Sequence, residues 1–246
     1  MKKEAKDYIV FPLDVPSAAE ARQLVRALDT RVGMFKIGLE LFIQEGPSVV
    51  KMVRDLSPAG IFLDLKLHDI SATVGRAMAR VADLGVDLVT VHASAPVSML
   101  EKAVQGGQGR TGVLGVTLLT DNDAHAVKAA GFKDDYSADT GRLVMLRARA
   151  AFDAGCSGVV CSGREAGIVK SSFGSGFLAV TPGIRPAWTL TADDDQKRVT
   201  TPARAIEQGA DYLVIGRPIR DAADPAEAAG KVAMEVSRAL ESNPVA

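Results

Sequence analysis

Three times along the chain a helical stretch closes on a glycine and an apolar run follows within a few residues. Ala82-Asp83-Leu84-Gly85-Val86-Asp87 leads into Leu88-Val89-Thr90-Val91, and Phe152-Asp153-Ala154-Gly155-Cys156-Ser157 leads into Gly158-Val159-Val160-Cys161. Ile206-Glu207-Gln208-Gly209-Ala210-Asp211 leads into Tyr212-Leu213-Val214-Ile215 in the same way. A glycine just past the last turn takes up the left-handed conformation that ends a helix. A short run of Val, Ile and Leu suits a strand covered on both faces, which means a parallel sheet flanked by helices.

Extending this reading over the whole chain predicts strands at Tyr8–Asp14, Met34–Ile37, Ile61–Lys66, Asp87–Ala93, Val113–Leu119, Gly158–Cys161, Phe177–Thr181 and Tyr212–Ile215. Helical periods lie between them. Ser17-Ala18-Ala19-Glu20 is a capping box ahead of Ala21–Leu28, and Asp224-Pro225-Ala226-Glu227 joins an N-cap to a first-turn Pro and Glu. A βα unit repeated about eight times in a chain of this length favours a (β/α)8 TIM barrel over an open doubly wound sheet. The first βα turn carries no GxGxxG, which lowers the dinucleotide-binding alternative. No linker or break in composition divides the chain, so a single barrel domain is expected over residues 1–246.

Charge excludes some partners. With 29 Lys and Arg against 30 Asp and Glu, the net charge is −1, which argues against a broad nucleic-acid surface or a polybasic membrane patch. No apolar run approaches the roughly 20 residues of a membrane span. The start of the chain lacks the pattern of a secretory signal, and Cys156 and Cys161 suggest packed thiols rather than a disulfide or zinc site. A cytoplasmic protein is the expectation. His68, His92 and His125 form no metal constellation, and His92 is read as a hydrogen-bonded residue at a strand end.

The richest stretch is Ile61-Phe62-Leu63-Asp64-Leu65-Lys66-Leu67-His68-Asp69-Ile70. Side chains alternate along a strand, so Leu63, Leu65 and Leu67 share one face and Phe62, Asp64 and Lys66 the other. In a barrel the leucines meet the helices and the two charges point inward. A buried ion pair rarely stabilises more than packed apolar residues, so its presence there favours chemistry over structure. Asp69 follows just past the strand, before a helix starting near Ser71. Carboxylates beside Lys66 favour its ammonium form, which could act as a general acid towards a carbanion. The cluster is equally compatible with a Schiff-base lysine or a divalent cation. Asp14 and Lys36 end two further apolar runs, placing acids and bases at the ends of three successive strands.

Two connections exceed what packing needs, Asp121–Asp139 and Pro182–Thr200. Thr181-Pro182-Gly183-Ile184-Arg185-Pro186 and Ile215-Gly216-Arg217-Pro218 follow the seventh and eighth strands, where barrels of this kind often hold phosphate. Arg185, Gly216 and Arg217 are the candidates, with Gln196 in the second long connection able to close on the same group.

Asp64-Leu65-Lys66-Leu67-His68-Asp69-Ile70-Ser71-Ala72-Thr73 resembles the DxKxxDIPxT signature of the orotidine 5'-phosphate decarboxylase family. Leu13-Asp14, Phe35-Lys36-Ile37-Gly38, Leu119-Thr120, Thr181-Pro182-Gly183-Ile184-Arg185 and Ile215-Gly216-Arg217 match it in order, so the likeness spans essentially the whole chain. The resemblance implies a cofactor-free, metal-free conversion of orotidine 5'-monophosphate to UMP and CO₂, the last step of UMP synthesis. It also implies that Lys66 protonates C6, that Asp64 sits near the departing carboxylate and that Lys36 links the ribose to them. Asp69 and Thr73 would cross from the neighbouring subunit of a homodimer. Asp14 and Thr73 would hold ribose hydroxyls, and Thr120 would lie by the nucleotide. Gln196 and Arg217 would grip phosphate, with Gly216 offering its backbone and Arg185 nearby. Two positions depart from the pattern: Ser71 stands where Pro is usual, and Asp121 where Ser is common. Magnesium-dependent lyases sharing DxKxxD usually carry Glu where this chain has Lys36, which argues against them.

Overall fold

The inward parity of alternate strand residues is met by a closed barrel. The computed structural model describes residues 3–189 and 200–242. Its strands are β1 (Ile9–Pro12), β2 (Met34–Gly38), β3 (Gly60–Leu67), β4 (Leu88–His92), β5 (Gly112–Val116), β6 (Gly158–Val160), β7 (Leu178–Thr181) and β8 (Tyr212–Val214). Each pairs in parallel with the next, and β1 pairs with β8 to close the ring. With helices between the strands, this is a (β/α)8 TIM barrel.

All eight expected strands are present, with shorter ends in several. β1 stops at Pro12 and β5 at Val116, although single ladder bonds run on, from Leu13 N–H to the Lys36 carbonyl at 2.8 Å and from Thr117 N–H to the Val160 carbonyl at 3.2 Å. Asp14 therefore lies in the loop above β1 rather than within it. The three helix-closing glycines behave as the sequence requires, Gly85, Gly155 and Gly209 having φ of 70°, 80° and 81°. Ser17 accepts from the Glu20 N–H, and its helix, Ala18–Leu28, begins three residues earlier than its apolar period suggested. Asp224 accepts from the N–H groups of Ala226 and Glu227 to start the last helix, Pro225–Ser242.

Packing falls into two layers. Val10, Met34, Phe62, Leu88, Leu114 and Val180 fill the barrel interior, each from the inward face of a different strand. Their outward neighbours, among them Phe11, Phe35, Leu63 and Val89, are fully buried in the larger core under the helices. Burying such a side chain contributes about 1.5–3 kcal/mol. At the N-terminal end of the barrel the Lys3 ammonium lies 3.9 Å from the ring centres of both Tyr8 and Tyr212. The interior apolar layer stops at Phe62 on β3, and the charged residues begin directly above it. Of the two long connections, Asp121–Asp139 contains two short helices, Ala124–Ala129 and Asp134–Ala138. The second is anchored by a bridge between Ile184 and Thr200. Gln196 lies outside the described residues.

Candidate active site

The C-terminal mouth of the barrel holds a cavity of about 560 Å³, a size suited to a small-molecule ligand. Its floor is Pro12, Phe62, Val116, Val160 and Val214. One wall carries Asp14, Lys36, Asp64 and Lys66 from β1–β3, and the other carries Arg185, Gly216, Arg217 and Arg220 beyond β7 and β8. Thr120 and Asp121 border it from the β5 side. Among the described residues, five basic and three acidic side chains line it, a balance that favours an anionic occupant.

Asp64 is the hub. Its carboxylate lies 3.0 Å from the Lys66 ammonium through either oxygen and 3.4 Å from that of Lys36. Lys36 in turn reaches Asp14 at 3.1 Å. Asp64 and Lys36 are well buried, with side chains 13% and 11% exposed, whereas Asp14 is half exposed. Burial works against ionisation of Asp64, but the two ammonium groups and the hydrogen bonds from Lys66 and Thr90 outweigh it and hold the carboxyl below its ordinary value. Asp64 is thus held as the carboxylate in the neutral range, between the two ammonium groups.

The backbone that presents Lys66 is irregular. Between Leu63 and Leu67 the register against β4 shifts, Leu63 pairing with Val89 but Leu67 with Val91. Lys66 has φ of 50°, one of two non-glycine residues with positive φ among those described. For a non-glycine residue this costs roughly 1–2 kcal/mol, and such strain clusters at functional positions. Thr90 secures the bulge. Its buried hydroxyl accepts from the Lys66 N–H at 2.9 Å and donates to Asp64 Oδ1 at 2.8 Å. Sequence reasoning passed over Thr90, although a lone hydroxyl with inward parity in Leu88-Val89-Thr90-Val91 was the available signal. Arg220 was passed over as well, one turn beyond Arg217.

Eight of the expected site residues therefore converge on one cavity: Asp14, Lys36, Asp64, Lys66, Thr120, Arg185, Gly216 and Arg217. Arg185 is buried, and its guanidinium donates to the Ile184 carbonyl at 3.1 Å. At Gly216 a Cβ would stand 3.0 Å from Pro12 Cγ, so the absence of a side chain permits close approach of β8 to β1. Asp69 and Thr73 are not brought into this cavity. Asp69 is exposed and accepts from the Ile70 N–H at 2.6 Å, and Thr73, on the helix Ser71–Asp83, contacts Arg76. Cys161 is buried as expected but also borders the cavity, while burial pushes the Cys156 thiol up to about 12. The His92 ring packs 5.7 Å from that of His68 at the end of β4, and burial, followed by the nearby positive charges, lowers its pKa. Among the described residues, no three His, Cys, Asp or Glu side chains are grouped to hold a metal ion, and no helix is long and apolar enough to cross a membrane.

Fold and cavity together define a class, that of (β/α)8-barrel enzymes with a charged pocket at the C-terminal mouth. The chain belongs to the orotidine 5'-phosphate decarboxylase / HUMPS family, whose model matches residues 7–232. It is 51% identical over 236 residues to an orotidine 5'-phosphate decarboxylase of Desulfosudis oleivorans, covering 96% of this chain and 95% of that one. An orotidine 5'-phosphate decarboxylase of an Anaeromyxobacter species is 46% identical, covering 92% and 96%. Among solved structures, the orotidine 5'-phosphate decarboxylase of Lactobacillus acidophilus superposes with a TM-score of 0.79 at 32% identity, covering 93% and 98%. With likeness of this degree over nearly their full length, the chain is a carboxy-lyase.

Proposed function

We propose that the protein decarboxylates orotidine 5'-monophosphate to UMP and CO₂, with Lys66 as the proton donor. The observation that carries this reading is the Asp14–Lys36–Asp64–Lys66 array facing an arginine-lined wall across a single cavity. A nucleoside monophosphate carries its phosphate at one end and its base at the other, which matches that polarity. In the step itself the C6–carboxylate bond breaks, CO₂ leaves and the electron pair stays on C6. Lys66 then gives a proton to C6 and recovers one from solvent. Asp64 holds the Lys66 ammonium in place through both of its oxygens, and its own negative charge lies where the carboxylate departs. An ordered array of this kind needs no reorganisation as charge develops at C6. Lys36 and Asp14 take the ribose hydroxyls, Thr120 lies by the nucleotide, and Arg217, the Gly216 backbone, Arg185 and Gln196 serve the phosphate. Phosphate binding, remote from the scissile bond, is thereby spent on seating the base against Lys66.

Asp69 and Thr73 complete the site of a second copy in a homodimer. Their position outside this chain's own cavity supports that reading, as do Ile70 and Val97, 72% and 44% exposed, beside the hydrogen-bonded Ser71 and Ser98. The protein is a single-domain cytoplasmic enzyme of pyrimidine nucleotide synthesis that needs no cofactor and engages neither nucleic acid nor membrane. The deciding experiment is to supply orotidine 5'-monophosphate in the presence of EDTA and assay UMP and CO₂. Stoichiometric formation of both is expected, whereas an absolute magnesium requirement would reassign the site to a metal-dependent lyase.

A further inference from the structure

The two walls of the cavity are joined by one side chain that the reading above leaves unused. Arg220 lies at the end of the short helix Arg217–Arg220 that follows β8. One guanidinium nitrogen donates to the backbone carbonyl of Asp14 at 3.1 Å, a contact between residues at opposite ends of the chain. Its Nε and other terminal nitrogen donate to the two carboxylate oxygens of Asp221 at 2.7 and 3.2 Å. This fork fixes the plane of the guanidinium, so the remaining donor is aimed rather than free to rotate. Asp14 and Arg220 also border a second, shallower hollow on their far side, together with Val15, Glu20 and Pro225. The pair is therefore a thin partition between two hollows.

The contacts continue inward. Asp14, held by its carbonyl, holds Lys36 at 3.1 Å through its carboxylate, and Lys36 reaches Asp64 at 3.4 Å. A displacement of the Asp14 loop would be passed on to the charge that orients Lys66. We infer that Arg220 is a positioning residue, which fixes Asp14 from the phosphate wall and through it sets Lys36 and Asp64 for the decarboxylation proposed above. This rests on that function but adds a residue to it. Arg220 acts on the reacting end of the substrate without serving as a ligand for the phosphate.

The test compares wild type, Arg220→Met and Arg220→Lys on the nucleotide and on the corresponding nucleoside without phosphate. Misplacing a reacting group by about an ångström costs up to about 100-fold. Arg220→Met is therefore expected to lose about 10- to 100-fold in kcat by the same factor on both substrates, with KM for the nucleotide little changed. Arg220→Lys should recover part of the loss. A defect seen only with the nucleotide, as a raised KM, would make Arg220 a phosphate ligand and overturn the inference. Unchanged kinetics with a lowered Tm would reduce it to a structural contact and overturn it equally. A second readout does not depend on turnover: the ¹⁵N resonance of the Lys36 ammonium should shift in Arg220→Met, and an unshifted signal overturns the inference. Absence of nucleotide turnover by the wild type would count instead against the function itself.

Discussion

Asp64 and Lys66 stand two residues apart on β3, and the Lys66 ammonium lies 3.0 Å from each oxygen of the Asp64 carboxylate. The register shift against β4 and the left-handed backbone of Lys66 accompany this double contact, so local strain and site geometry occur in the same three residues. The arrangement has separable consequences for stability, ionisation, ligand binding and assembly.

The left-handed backbone at Lys66 affects stability independently of charge. Alanine and glycine both remove the ammonium, but only glycine accepts a φ of 50° without steric cost. Lys66→Gly is expected to be more stable to urea than Lys66→Ala by about 1 kcal/mol. Equal stabilities would mean that the backbone relaxes out of the left-handed region once the ammonium is gone.

Asp64 should leave a signature in acid. Burial opposes its ionisation, yet Lys36, Lys66 and Thr90 bring its folded pKa below the ordinary value of 3.8. Its ionised form therefore adds stability above the unfolded pKa, and that contribution disappears as pH falls through the folded value. Asp64→Asn should be less stable than wild type at neutral pH, with the gap constant down to about pH 5 and shrinking below it. Urea unfolding across this range measures it, and a gap that persists unchanged in strong acid contradicts the assigned ionisation.

Arg217 should discriminate ligands by their phosphate. A hydrogen bond to a charged group contributes about 1.5–3 kcal/mol, so Arg217→Ala is expected to weaken UMP binding by about 10- to 100-fold. Uridine binding should be nearly unaffected. Calorimetric titration with both ligands decides, and equal weakening of the two would remove Arg217 from the phosphate site.

The proposed sharing of sites between two copies makes a prediction about mixtures. Lys66→Ala and Asp69→Ala should each be inactive alone. In a mixed dimer, however, one site draws Lys66 and Asp69 from the two unmutated positions. After unfolding and refolding together in equal amounts, about a quarter of wild-type activity should return, because half the dimers are mixed and each has one intact site. No recovery, with mixed dimers demonstrated by mass spectrometry, would place Asp69 in its own chain's site.

Much of the barrel was legible because its determinants are local. Gly85, Gly155 and Gly209 mark helix ends by a conformation that other residues avoid, and the inward parity of Phe62, Asp64 and Lys66 follows from the two-residue repeat of a strand. Strand ends were less legible, since Leu13 and Leu118-Leu119 continue the apolar runs past Pro12 and Val116, where β1 and β5 stop. Thr90 and Arg220 escaped because their roles depend on partners far away in the chain, Asp64 for the one and the Asp14 carbonyl for the other. A hydroxyl in an apolar strand and a second arginine one turn past the first carry little meaning until the ring closes. Asp69 and Thr73 were picked out through the DxKxxDIPxT pattern, and the geometry of one chain does not bring them to its own cavity.

The most direct measurement of the central claim is the fall in orotidine 5'-monophosphate absorbance with wild type and with Lys66→Ala, the variant's fold being checked by circular dichroism. General acid catalysis commonly supplies about 10²–10⁴-fold, and Lys66 also contributes to the preorganised field, so a loss of at least that size in kcat is expected. Turnover by Lys66→Ala near the wild-type rate would contradict the assignment of Lys66 as the proton donor.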